Sequence, residues 1–98
     1  MINFEDLEQL TAFAKHGTLV KAAAALHISQ PTITRTMKHI EESFGVKLFE
    51  RGKNRIRLNG TGKIAVEQAE KVLDATQQMM LAVREYDKSL RTIVGESC

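Results

Sequence analysis

The chain has little of what covalent, metal or membrane chemistry needs. It carries one cysteine, Cys98, at its last position among 98 residues. One thiol cannot close an intrachain bridge, and the Cys/His spacing of a zinc site is absent. The three histidines, His16, His27 and His39, are too scattered for a metal motif. No metal and no cofactor are therefore expected. No apolar run approaches the roughly 18 residues of a transmembrane helix, so no membrane partner is expected either. The start, MINFEDLEQL, is acidic and amphipathic and lacks the basic leader and apolar core of a secretory signal, which makes cytoplasmic residence the expectation. No Ser/His/Asp set, acid pair or phosphate loop is present, and Gly60-Thr61-Gly62 is too short for a nucleotide signature. The sequence does not read as an enzyme.

What is present suits one small domain, with 43% apolar residues, enough for a core. The net charge of +2 says little, but its distribution says more. Arg35, Lys38, Lys47, Arg51, Lys53, Arg55 and Arg57 stand against only Glu41, Glu42 and Glu50 in the same stretch, and the rest of the chain is net acidic. A local positive patch on a near-neutral domain is what a phosphate backbone selects, although a solvated face has the same composition.

Helical periodicity and stop signals divide the chain. Phe4, Leu7, Leu10 and Ala14, with Phe13 beside them, predict a helix over about 4–15, capped by Asn3 with Asp6 three positions on and ended by Gly17. Thr18 caps a short second helix over 19–26, whose Ala22, Ala23 and Leu26 make an apolar corner with Ile28. Ser29 caps a third, with Pro31 in the first turn, where its missing N–H is harmless. Its buried stripe is expected to be Ile33, Met37, Ile40 and Phe44, and Gly45 stops it. Val46 to Phe49 and Ile56 to Leu58 predict a small hairpin, a wing, with a basic tip between them. Asn59 or Thr61 then caps a helix running to about Leu90. Its residues Ala65, Ala69, Val72, Thr76, Met79, Val83, Tyr86, Leu90 and Ile93 alternate four and three apart, a heptad seam widened by Val66, Leu73 and Met80. A small core cannot cover such a stripe, so pairing with a second copy is expected; packing on a further domain is the other way to bury it.

The fold class expected is mainly α, a winged helix-turn-helix with a long C-terminal linker helix for dimerisation. In that arrangement the second helix of the motif enters the major groove by its N-terminal residues. Gln30 can pair with adenine, Thr32 and Thr34 can hydrogen-bond or meet thymine methyls, and Arg35 can bind guanine or phosphate. Thr18, Ser29, Pro31 and Lys38 are expected along the DNA backbone, and Arg51, Lys53 and Arg55 in the wing on phosphate or in the minor groove. Each of these positions also suits an ordinary solvated polar residue; the inference rests on their occurring together.

The stretch Ala22-Ala23-x-x-Leu26-x-Ile28-Ser29-Gln30-Pro31-x-Ile33-Thr34-Arg35-x-Met37-x-x-Ile40-Glu41-x-x-x-Gly45-Val46-x-Leu48-Phe49-x-Arg51 closely resembles the N-terminal domain of LysR-type bacterial transcriptional regulators. The segment from Phe4 to Thr18 fits as well, so the resemblance covers about residues 2 to 90. It implies sequence-specific binding of double-stranded DNA at partly palindromic promoter sites and control of transcription. It also implies a homodimer paired through antiparallel linker helices, a tetramer in the full-length protein, and residence on the nucleoid. The turn after the wing departs from the family's Leu-Thr-x-x-Gly: Leu58-Asn59-Gly60-Thr61-Gly62 predicts a looser first turn or a later helix start. The family's effector-binding domain is also missing, and with it any small-molecule effector site. The expected organisation is a DNA-binding domain at 1–58, a linker and dimerisation helix at 59–92 and a flexible tail at 93–98 that begins the linker to the missing domain. The alternative function is a protein-interaction module acting mainly through the long helix.

Overall fold

In the computed structural model, which describes the backbone of residues 1–97 and the side chains of residues 1–91, the elements follow the order α1 (Phe4–His16), α2 (Leu19–Leu26), α3 (Gln30–Phe44), β1 (Phe49–Gly52), β2 (Arg55–Leu58) and α4 (Gly60–Ser97). This is a winged helix-turn-helix with a long trailing helix, 68 × 26 × 20 Å in extent.

Local chemistry sets the helix ends. Asn3 Oδ1 accepts from the Asp6 N–H at 2.8 Å while Asp6 Oδ2 accepts from the Asn3 N–H at 3.1 Å, a reciprocal capping box. Thr18 Oγ1 accepts from the Lys21 N–H, and Ser29 Oγ from the Thr32 N–H. Gly17 and Gly45 close α1 and α3 in the left-handed region. The tight turn between α2 and α3 puts His27 at φ 57, where its N–H caps the carbonyls of Ala23 and Ala24. A branched or bulky residue tolerates that conformation poorly; histidine is among the few that visit it.

Leu10, Ala22, Ile33, Met37, Ile40 and Leu48 are sealed from solvent, joined by Ala12, Phe13, Ala23 and Phe49, and by Val66 and Ala69 from the first turns of α4. Phe13 meets Phe49 edge-on with ring centroids 5.7 Å apart, fastening α1 to the base of the wing. The expected stripe of α3 holds for Ile33, Met37 and Ile40 but not for Phe44, which is 50% exposed because it lies past the edge of the neighbours that cover the other three.

The hairpin is shorter and later than the apolar pattern predicted. β1 begins at Phe49, not Val46, and pairs antiparallel with β2 in the register Phe49↔Leu58, Glu50↔Arg57, Arg51↔Ile56 and Gly52↔Arg55. Only Lys53 and Asn54 form the turn, with Asn54 at φ 58. At Leu48 the ladder stops half-made: the in-register bond from Asn59 is present, but the Leu48 N–H is turned to Glu41 and its return bond is lost. Its N–H donates to Glu41 Oε2 at 2.8 Å, and its carbonyl accepts from the Asn59 N–H at 2.9 Å.

The start of α4 is tight, not loose or late. Asn59 Oδ1 accepts from the Gly62 N–H at 2.7 Å, and Asn59 Nδ2 donates to the Lys47 carbonyl. Gly62 is required there, since a Cβ would fall 2.1 Å from the Leu48 carbonyl oxygen. The helix then runs 38 residues, about 57 Å at 1.5 Å per residue. Its backbone continues through Ser97, past the tail expected from residue 93. Gly95 alone lowers helix propensity by only about 1 kcal/mol and no proline follows it. Cys98 lies outside the described residues. Among the described residues no helix is long and apolar enough to cross a membrane.

Candidate nucleic-acid interface

The start of α3 is two-sided. Ile33, Met37 and Ile40 are fully buried, and the helical period turns Gln30, Pro31, Thr34, Arg35 and Lys38 outward, where all five are exposed. Thr32 is half-buried, and its hydroxyl sits 2.7 Å from Ser29 Oγ. These two hydroxyls are occupied with each other and with the cap. The Thr34 hydroxyl donates back to the Gln30 carbonyl at 2.9 Å, which leaves its methyl and oxygen lone pairs facing out. Among the described residues no side-chain hydrogen bond or ion pair involves Gln30 or Arg35. Two polar side chains on a rigid helix without an internal partner can take an external one with no internal bond to break, at an ordering cost of about 0.5–1.5 kcal/mol each.

The hairpin gives a second exposed set. Strand alternation puts Arg51 on the face of Ile56 and Phe49, and Arg55 and Arg57 on the opposite face with Glu50. Arg51, Lys53, Arg55 and Arg57 surround a shallow recess at the tip together with Glu50. Arg57 was counted in the charge pattern but not singled out as a contact. Strand alternation places it on the face of Arg55, and the register sets it opposite Glu50.

Thr18 is exposed at the N-terminus of α2, its hydroxyl accepting from the helix. A broad groove elsewhere, between α1 and α4, is lined by Phe4, Glu8, Lys15, Leu73 and Asp74 among others and holds none of these residues. Among the described residues no three of His, Cys, Asp or Glu cluster as a metal set would.

The seam of α4 divides in two. Val66 and Ala69 are buried in the chain's own core, with Ala65 and Leu73 partly covered beside them. Ala69, expected in the dimer seam, is therefore already used. Val72, Met79, Val83, Tyr86 and Leu90 are 45 to 68% exposed, and Thr76 lies half-buried among them. The reason is length. The core reaches only the first turns of α4, and every residue from 77 to 91 is exposed whichever way it faces, so the early seam members are covered and the later ones are not. Ile93 lies outside the described side chains.

Over residues 4–63 the chain matches the profile of the bacterial regulatory helix-turn-helix proteins of the lysR family. It is 36% identical over 95 residues to the HTH-type transcriptional regulator TcbR of Pseudomonas sp. strain P51, covering 97% of this chain and 30% of that protein. It is 31% identical over 87 residues to the SDS degradation transcriptional activation protein of Pseudomonas sp. strain ATCC 19151, covering 89% of this chain and 28% of that one. The chain thus spans less than a third of the length of these curated relatives. The crystal structure of the CbnR_DBD-DNA complex superposes with a TM-score of 0.80 at 35% identity, covering 85% of this chain and 95% of that one.

Proposed function

The chain belongs to the lysR family of bacterial regulatory helix-turn-helix proteins, a DNA-binding transcription factor family and not an enzyme family, and from that premise we propose how its residues read DNA. Its function is sequence-specific binding of double-stranded DNA at promoters. The exposed start of α3 enters the major groove, with Gln30, Thr34 and Arg35 on base edges and Thr32 contributing its methyl. Ser29, Pro31, Lys38 and Thr18 lie along phosphates. Arg51, Lys53 and Arg55 of the wing hold the adjacent backbone or minor groove, Arg51 from one face of the hairpin and Arg55 from the other.

The observation that carries this reading is the unpartnered state of Gln30 and Arg35 on a helix whose other side is sealed. Residues 1–58 form the reading unit and 59–92 the linker. Two copies join through the exposed part of α4, Val72, Thr76, Met79, Val83, Tyr86 and Leu90, to bind a partly palindromic site. In a longer protein such dimers pair into a tetramer, a separate domain binds a small-molecule effector, and the whole resides in the cytoplasm on the nucleoid. The exposed apolar length of α4 also favours a second reading, a protein-interaction module acting through that helix.

Selection of bound duplexes from a random pool tests the two together. Enrichment of a two-fold-related motif that Gln30→Ala and Arg35→Ala relax is the expected result. An unenriched pool, or a motif indifferent to both changes, favours the second reading.

A further inference from the structure

One buried charge is not explained by the contact surfaces. Glu41 is 7% exposed, on the core side of α3, and among the described residues no cation pairs with it. Its Oε2 instead accepts the Leu48 N–H at 2.8 Å and the Phe49 N–H at 3.3 Å. Those two amides open the wing. A carboxylate oxygen shared by two backbone donors is a directional tie, short to Leu48 and longer to Phe49. A carboxylate is a costly choice for a site that an apolar residue could fill, so the geometry it imposes is the property to examine.

We propose that Glu41 is a positioning residue for DNA binding, setting the angle between the recognition helix and the wing. This rests on the reading of both as DNA contacts. A winged domain must bring its helix to the major groove and its hairpin to the neighbouring backbone at once. Here the chain between them, Gly45 to Leu48, contains no regular structure to fix their relative pose. Apolar packing of Leu48 and Phe49 holds the wing base against the core but is non-directional. Glu41 supplies direction from α3. From the other side the Leu48 carbonyl accepts the Asn59 N–H, so the Leu48–Phe49 peptide, whose N–H also donates to Glu41, is held by the residue that caps α4. The wing base is clasped at its N–H by one helix and at its carbonyl by the next.

The test compares Glu41→Asp with Glu41→Gln. Aspartate keeps the charge but retracts the oxygen by one methylene, and glutamine keeps the reach and an acceptor oxygen without the charge. The readout is the slope of log affinity against log salt on a target duplex, which counts phosphates engaged at about 0.9 per contact. Because the slope reports the bound state, a variant folded only in part still yields it. The expected result for Glu41→Asp is a slope smaller by about one to three units, with base preference at the major-groove positions retained. Glu41→Gln keeps the wild-type slope. A wild-type slope in Glu41→Asp, or equal losses in the two variants, overturns the proposal. The Arg51→Ala/Arg55→Ala variant separates the premise: an unchanged slope there overturns the wing reading and this proposal with it. A slope loss there without one in Glu41→Asp overturns this proposal alone. Adding Glu41→Asp to the wing variant removes nothing further if both act through the same contacts.

Discussion

The two longest helices handle their apolar residues in opposite ways. α3 hides Ile33, Met37 and Ile40 completely and presents polar side chains, whereas α4 beyond Val72 leaves Met79, Val83, Tyr86 and Leu90 in water. α3 is complete as folded, and what it offers outside is polar. α4 leaves its apolar stripe open, and exposed apolar patches are where association occurs. On the proposed reading the same kind of side chain serves folding on one helix and assembly on the other.

The contrast can be broken most severely by cutting matched residues. Ile40→Ala is expected to cost about 2–5 kcal/mol, a large share of what a small domain has, and to lower the melting temperature at every protein concentration. Val83→Ala is expected to leave the melting of dilute monomer nearly unchanged. Thermal melts at two concentrations check both, and an Ile40-sized loss from Val83→Ala at high dilution would erase the distinction between the helices. Next in size, Met79→Asp with Val83→Asp should convert the dimer to monomer in sedimentation at about 100 µM, because burying unpaired carboxylates opposes association. A monomeric wild-type chain at that concentration sinks the seam.

On the polar side, Arg35→Ala is expected to weaken specific DNA binding by about 1–3 kcal/mol and relax preference at one base pair, as read by titration against variant duplexes. Equal losses on every sequence would reassign Arg35 to a phosphate. Smallest is His27→Gly. Removing Cβ at φ 57 relieves local strain but loosens the unfolded chain, so the net gain should stay within about 1 kcal/mol, seen as a small rise in melting temperature. A marked loss would mean that the imidazole itself contributes contacts.

Much of this was legible in the sequence for local reasons. The caps Asn3, Thr18 and Ser29 and the stops Gly17 and Gly45 act within four residues, so pattern alone places the first three helices. The recognition helix followed from its cap, its proline and its buried stripe. What stayed hidden depends on partners distant along the chain. Val46–Leu48 has the composition of a strand, but the Leu48 peptide is held by Glu41 and Asn59, and no local pattern announces that. Glu41 stood in the family-like stretch and among the acids of a basic segment, but neither pattern assigned it a partner. Arg57 shares the face of Arg55 by simple alternation, but its place opposite Glu50 needed the hairpin register. Ala69 fitted the seam by spacing, yet spacing along a helix does not say how far the chain's own core reaches along it. The two glycines flanking Thr61 suggested slack, because the close approach of Gly62 to Leu48 is a tertiary fact.

That close approach has a mechanical consequence. With no side chain at residue 62, α4 rests its backbone directly on the base of the wing, and the pivot lies within the first turn of a long lever. From Gly62 to Leu90 the arm is about 42 Å at 1.5 Å per residue. A tilt of about 5° at that fulcrum, smaller than the ordinary scatter of helix packing angles, moves the far end by about 4 Å. Play that is negligible at the pivot becomes, at the tip, most of the roughly 4.5–6 Å between successive side chains along the seam. The bearing surface at Leu48 thus sets how far apart two reading heads would stand.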